Sequence, residues 1–239
     1  MRETPTRRQV LAAAGVTGIV GLAGCTGGGS TPTTDGQGGG GNGDGNSDGG
    51  GDGNGSEETP AGQLSPPVRG DPEADVTLAV YEDFACPHCR DYSENGYPAL
   101  AEAFVDTGQI RYEHRDLPIP VLDPESFEAA NAARAVQTRH GREAFWTYAD
   151  ALFANQDALG SETPGLYAEV AVELDYEGEP VRTDAVDRAY TDTVMGDRQR
   201  GIDAGVEGTP GFVVNGEVVT SGFGDSTVET VRSAIEERL

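Results

Sequence analysis

Lysine is absent from this chain. All 16 basic residues are arginine, set against 41 aspartates and glutamates, for a formal net charge of −25. Such a chain has no basic patch with which to neutralise phosphates, which excludes nucleic acid as a partner. Soft metal ligands are scarce too. The three cysteines are Cys25, Cys86 and Cys89, and the three histidines are His88, His114 and His140. Structural zinc usually takes four such ligands, but His88 lies inside the one cysteine pair and the other histidines are distant in sequence. No resident metal and no cofactor are therefore expected. The apolar run from Val10 to Ala23 is too short to span a bilayer comfortably as a helix. Between residue 26 and about 67 apolar side chains nearly vanish, and Gly, Asp, Asn, Ser and Thr dominate. No core can form there.

What is present at the start is an address. Thr6-Arg7-Arg8-Gln9-Val10-Leu11 is a twin-arginine pattern whose basic leader precedes the apolar run, as in a signal peptide. Leu22-Ala23-Gly24-Cys25 resembles the lipobox of prokaryotic lipoproteins. That resemblance implies cleavage before Cys25, lipidation of Cys25 and attachment to the membrane through it. An ordinary signal peptide or an uncleaved anchor are the alternatives. All three place the rest of the chain outside the cytoplasm, where disulfide chemistry is permitted. Residues 1–24 are read as the signal and 25–66 as a disordered tether, spanning roughly 35 Å as a coil. The run Asp44-Gly45-Asn46-Ser47-Asp48 lacks the flanking helices and periodic apolar residue of calcium sites. Removing residues 1–24 takes away three arginines and one glutamate, leaving a charge of about −27. Acidic residues run through tether and domain alike, which favours adaptation to a salty solvent over a basic partner. The composition resembles that of extreme halophiles, and with the lipobox it points to a haloarchaeal lipoprotein.

Residues 67–239 suffice for one domain. Val76 to Tyr81 reads as a buried strand, followed by a turn through Glu82-Asp83-Phe84-Ala85 into Cys86-Pro87-His88-Cys89. A helix with Tyr97, Leu100, Ala101 and Phe104 on its packing face ends at Gly108. Ile110 to His114 alternates as a second strand, stopped by Pro118 and Pro120. Asp123-Pro124-Glu125 suggests an aspartate N-cap with proline at the first helical position. An alanine-rich helix follows until Gly141. The segment from Phe145 to Phe153 is read as core, with a peptide-binding rim as the alternative. Tyr167 to Leu174 and Val181 to about Ala204 suggest two more helices. Asn215-Gly216 marks a hairpin after Thr209-Pro210, and Ser226 is placed to cap a last helix bearing Val228, Val231 and Ile235.

Two thiols three positions apart at the start of a helix make a reversible disulfide. With strand–helix–strand before a helical insertion, and Thr209-Pro210 just ahead of a hairpin, the chain resembles the DsbA-like branch of the thioredoxin fold. The stretch Pro66 to Cys89 resembles that family's opening and Val206 to Phe212 its proline loop; together the likeness covers about residues 66–239. It implies an α/β, thioredoxin-like fold with an inserted helical subdomain at about 123–204. It also implies a thiol:disulfide oxidoreductase acting on exported protein thiols or disulfides, with a separate redox partner to regenerate it.

Cys86 is then the attacking thiol at the helix N-terminus and Cys89 the buried resolving thiol. Pro87 suits the first turn, and His88 can stabilise a Cys86 thiolate. The Pro-His pair is that of strongly oxidising DsbA-type enzymes, so the resemblance favours an oxidase over a reductase; an isomerase of the same fold is a further alternative, though no dimerisation domain is apparent. Pro210 is expected to be cis, with Thr209 offering backbone and hydroxyl near Cys86 for substrate pairing. One departure stands out: relatives often carry a buried acid six positions before the first cysteine, where this chain has Val80. Glu82, expected on the outgoing loop, is the candidate substitute as proton relay. A metal-delivery or metalloprotein-assembly role and a noncatalytic surface lipoprotein remain the competing readings.

Overall fold

The structure, a computed structural model, describes residues 62–160 and 163–239. The expected leader, Cys25 and the tether as far as residue 61 lie outside the described residues. A three-residue strand that no sequence pattern marked, β1 (Val68–Gly70), begins the sheet. It is joined by β2 (Thr77–Glu82), β3 (Arg111–Asp116), β4 (Gly211–Val214) and β5 (Glu217–Ser221), in the order β1-β3-β2-β4-β5. Only β2 and β3 run parallel; the other neighbours are antiparallel. The β4–β5 turn is Asn215-Gly216, both with positive φ (46° and 83°), as the hairpin signal requires. In register, Val80 sits between His114 and Phe212, and Glu82 lies opposite Asp116.

Side chains alternate across the sheet. Leu78, Val80, Tyr112, Phe212 and Val214 point into the main core. Ala79, Tyr81 and Val213 point the other way, into a smaller cluster with Leu117 and Val206. Against the main face packs a helical stretch from α1 (Pro87–Asp91) through a π turn (Tyr92–Gly96) and α2 (Tyr97–Leu100) to a second π turn (Ala101–Val105). Pro98 has no N–H to donate, and the wider turn just before it absorbs that loss.

Between β3 and β4 come α3 (Glu125–His140), α4 (Arg142–Ala154), α5 (Thr163–Glu173), α6 (Gly178–Val186) and α7 (Thr191–Ala204). Phe145, Trp146, Tyr148, Leu152 and Phe153 on α4 are all buried, so this aromatic segment is core. The helix α7 covers the second face of the sheet. Gly201 makes that possible, since a Cβ there would come within 2.8 Å of the Tyr81 ring. The last helix, α8 (Thr227–Glu236), returns to the main face through Val231 and Ile235. Among the described residues, no helix is long and apolar enough to cross a membrane.

Three local expectations fail. Val181 to Ala204 is two helices, broken at Arg188, whose φ is 51°. Asp123 does not cap α3. Its peptide to Pro124 is cis, the helix starts at Glu125 without a side-chain cap, and the Asp123 carboxylate pairs with Arg188 instead. Ser226 does not cap α8 with its side chain; the Thr227 hydroxyl accepts the Gly224 N–H at 3.0 Å.

Candidate active site

The strand β2 ends in the main core, and the chain turns so that Cys86 becomes the N-cap of α1, with extended backbone (φ −82°, ψ 120°) and Pro87 as first helical residue. No side chain caps this end. The orphan N–H groups of the first turn are free to face the Cys86 sulfur. Cys86 keeps 5% of its surface exposed and Cys89 none, while Pro87 and His88 are exposed. Both thiols are free.

The Thr209–Pro210 bond is cis, and Cys86 Sγ lies 3.7 Å from the Thr209 carbonyl oxygen. Among the described residues the buried Thr209 hydroxyl has no hydrogen-bond partner. The Cys86 thiol is held down at about 5. The Cys89 S–H hydrogen-bonds to the thiolate; burial opposes this, and Thr209 and the Cys89 and His88 N–H groups add to it. Burial pushes the Cys89 thiol well up, with the hydrogen bond to Cys86 and the charge of Glu82 acting the same way. The two thiols are thus shifted in opposite directions, Cys86 toward the thiolate and Cys89 toward the protonated form.

Glu82 is not on the outgoing loop. It is the last residue of β2, 4% exposed, and on the same face as Val80 by strand alternation. Its Oε2 lies 3.1 Å from His114 Nδ1, while Oε1 is buried without a partner. Burial raises its pKa, against the bond to His114. The structure therefore brings a carboxyl two residues along the strand from the position that Val80 leaves apolar.

Several residues that hold the site went unmarked in the sequence. Asp83, 2% exposed, donates its N–H to Cys89 Sγ (3.4 Å) and accepts the Cys86 N–H on its carbonyl (3.0 Å). Its carboxylate accepts from Ala85 N (2.8 Å), Ile119 N (2.8 Å) and the Ser126 hydroxyl (2.7 Å). Gln156, beyond α4, donates its amide to the carbonyls of Phe84 (2.7 Å) and Cys86 (3.0 Å). On the other side of Glu82, His114 Nε2 lies 3.2 Å from Asp116, whose other oxygen takes a 2.7 Å bond from Arg134; Arg134 also bonds Asp197 (2.9 Å). Only the Asp at position 83, three residues before a CxxC and followed by two small or apolar residues, offered a sequence-local hint. The others are joined over long separations.

A cleft of about 630 Å³ opens on the second face of the sheet, beside Tyr81, Arg111 and Arg200, away from both cysteines and from Thr209. Among the described residues, no group of three or more His, Cys, Asp or Glu side chains is placed to hold a metal ion.

The family model described as thioredoxin matches residues 63–237. Among curated proteins, the Na(+)/H(+) antiporter NhaA 3 of Salinispora tropica is 37% identical over 149 residues, 62% of this chain and 21% of the antiporter. The chain thus spans about a fifth of that relative's length. The probable disulfide bond formation protein D of Bacillus cereus is 25% identical over 174 residues, covering 71% of this chain and 77% of that protein. Among solved structures, oxidised BdbD from Bacillus subtilis superposes with a TM-score of 0.64 at 22% identity, over 72% of this chain and 92% of that one. The fold is accordingly α/β and thioredoxin-like, with a helical insertion.

Proposed function

The chain belongs to the thioredoxin family, and from that premise we propose that it is a thiol:disulfide oxidoreductase that oxidises dithiols in exported proteins. The observation that carries this reading is the asymmetry of the pair: Cys86 favours its thiolate at a helix N-terminus beside Thr209-Pro210, and Cys89 lies beneath it fully buried and protonated. Stabilising the reduced form makes the disulfide the stronger oxidant. The relatives named for disulfide bond formation support the same chemistry.

In the forward direction a substrate thiolate attacks Cys86 Sγ, the Cys86–Cys89 bond breaks, and Cys89 leaves as a thiolate that takes a proton. Glu82, buried on the side of Val80, supplies that proton. A second substrate thiolate then attacks the substrate sulfur of the mixed disulfide and releases Cys86 as a stable thiolate. Thr209 presents the backbone against which an extended substrate segment pairs, and His88, exposed on the rim, favours the thiolate. Cys25 ties the domain to the outer face of the membrane, and a separate partner reoxidises it.

The test is the redox equilibrium of the full chain with glutathione. A potential near about −120 mV supports an oxidant, and one near about −270 mV overturns the direction in favour of a reductase. Cys86→Ser must abolish thiol oxidation; retained activity contradicts the assignment. Release of a Cys25→Ser chain from membranes checks the anchor.

A further inference from the structure

Asp83 is a buried carboxylate whose backbone bonds both cysteines, and among the described residues no cation pairs with it. Its three partners are neutral donors: the Ala85 N–H, the Ile119 N–H from the β3–α3 linker and the Ser126 hydroxyl from α3. Three titratable groups adjoin it: Cys86 and Cys89, bonded to its own backbone, and Glu82, which precedes it at the end of β2. All three carry negative charge when ionised. A thiolate on Cys86 and a carboxylate on Asp83 therefore repel in a site that water does not screen.

We propose that Asp83 is the redox-linked proton acceptor of this site: it takes up a proton when the Cys86–Cys89 disulfide is reduced and returns it on reoxidation. The inference rests on the reading of Cys86 and Cys89 as an exchanging pair. The balance is complete. Two substrate thiols lose two electrons and two protons and form their disulfide; the Cys86–Cys89 bond accepts the electrons. One proton goes to Cys89 Sγ, Cys86 remains a thiolate, and the second proton goes to the Asp83 carboxylate. Above the range where Asp83 titrates, that second proton goes to solvent. In the dithiol form described here burial lifts Asp83 to about 6, its three hydrogen bonds act against that, and the Cys86 charge adds to the rise. Linkage makes the effect reciprocal: an ionised Asp83 weakens the thiolate and holds down the oxidising power of the pair.

The experiment is the glutathione equilibrium of the full chain from pH 5 to 8, for the wild type and Asp83→Asn. The wild type should show an inflection near pH 6. The variant should lack it, match the wild type at pH 5, and be more reducible at pH 8 by roughly tenfold. A variant with the wild-type pH profile overturns the role of Asp83 while leaving the exchange reaction standing. A wild type with no glutathione-exchangeable disulfide at any pH overturns the oxidoreductase reading itself. Ser126→Ala covers the case in which Asp83→Asn does not fold. It removes one donor from the carboxylate and should move the inflection upward; lower stability with an unmoved inflection would leave Asp83 a purely structural residue.

Discussion

Two buried aspartates stand at the ends of neighbouring parallel strands, and they behave in opposite ways. Asp83 follows β2 and Asp116 ends β3; both keep 2% or less of their surface exposed. Burial raises the carboxyl pKa in both. At Asp83 the partners are neutral donors, and it stays raised, at about 6. At Asp116 the charge of Arg134 and the bond to His114 outweigh burial, and its pKa falls below the ordinary value. Depth alone does not decide ionisation; the charge of the partner does. The half of the site next to the cysteines therefore holds two carboxyls, Asp83 and Glu82, with raised pKa values. The half against α3 and α7 is locked as an ion network: Asp116, Arg134, Asp197, Arg115 and Glu113. His114 is the junction, bonded to Glu82 on one side and Asp116 on the other.

The comparison breaks most visibly at Arg134. Arg134→Met leaves Asp116 and Asp197 without this buried cation and should cost about 3–5 kcal/mol, read by denaturant unfolding at neutral pH. A loss under about 1 kcal/mol would mean that the network is not what holds Asp116 ionised. The next effect is a pH dependence. In the reduced chain the folded-state value of Asp83, about 6, exceeds its ordinary 3.8. The folded state thus holds the proton longer than the unfolded one. Its contribution is complete below about pH 4 and is lost as pH rises through 6, up to about 3 kcal/mol. Asp116, shifted down, runs the other way and loses its contribution as pH falls. The stability difference between wild type and Asp83→Asn should therefore change between pH 4 and 7 in reducing buffer; a constant difference would contradict the account. The smallest effect belongs to Gln156→Leu. It frees the Phe84 and Cys86 carbonyls, and about 1–2 kcal/mol is expected, with the Cys86 thiolate largely retained.

The parts of the site legible in the sequence were those encoded locally. Cys86-Pro87-His88-Cys89 and Thr209-Pro210 are short motifs with their own chemistry, and Asn215-Gly216 carries its turn in two residues. The strands β2 and β3 are legible as far as Tyr81 and His114 because apolar periodicity is a local signal; their last residues, Glu82 and Arg115-Asp116, are not. The rest depends on separations that periodicity does not see. Arg134 reaches Asp197 across 63 residues, and Gln156 reaches Phe84 across 72. β1 is three residues long and takes its identity from pairing with β3. Asp123 had a good capping pattern, yet its carboxylate went to Arg188, a tertiary contact that overrode the local one. Glu82 ends β2 rather than sitting on the loop that the sequence suggests, because the strand's last residue lies where the apolar pattern has already stopped.

If Cys86 and Cys89 are an exchanging pair, Cys86 is ionised at neutral pH while Cys89 is not. The direct measurement is the thiolate absorbance near 240 nm of the reduced chain as a function of pH, with Cys86→Ser as the blank. One thiolate should appear with a midpoint near pH 5. A midpoint at the ordinary thiol value of about 8.5 would contradict it.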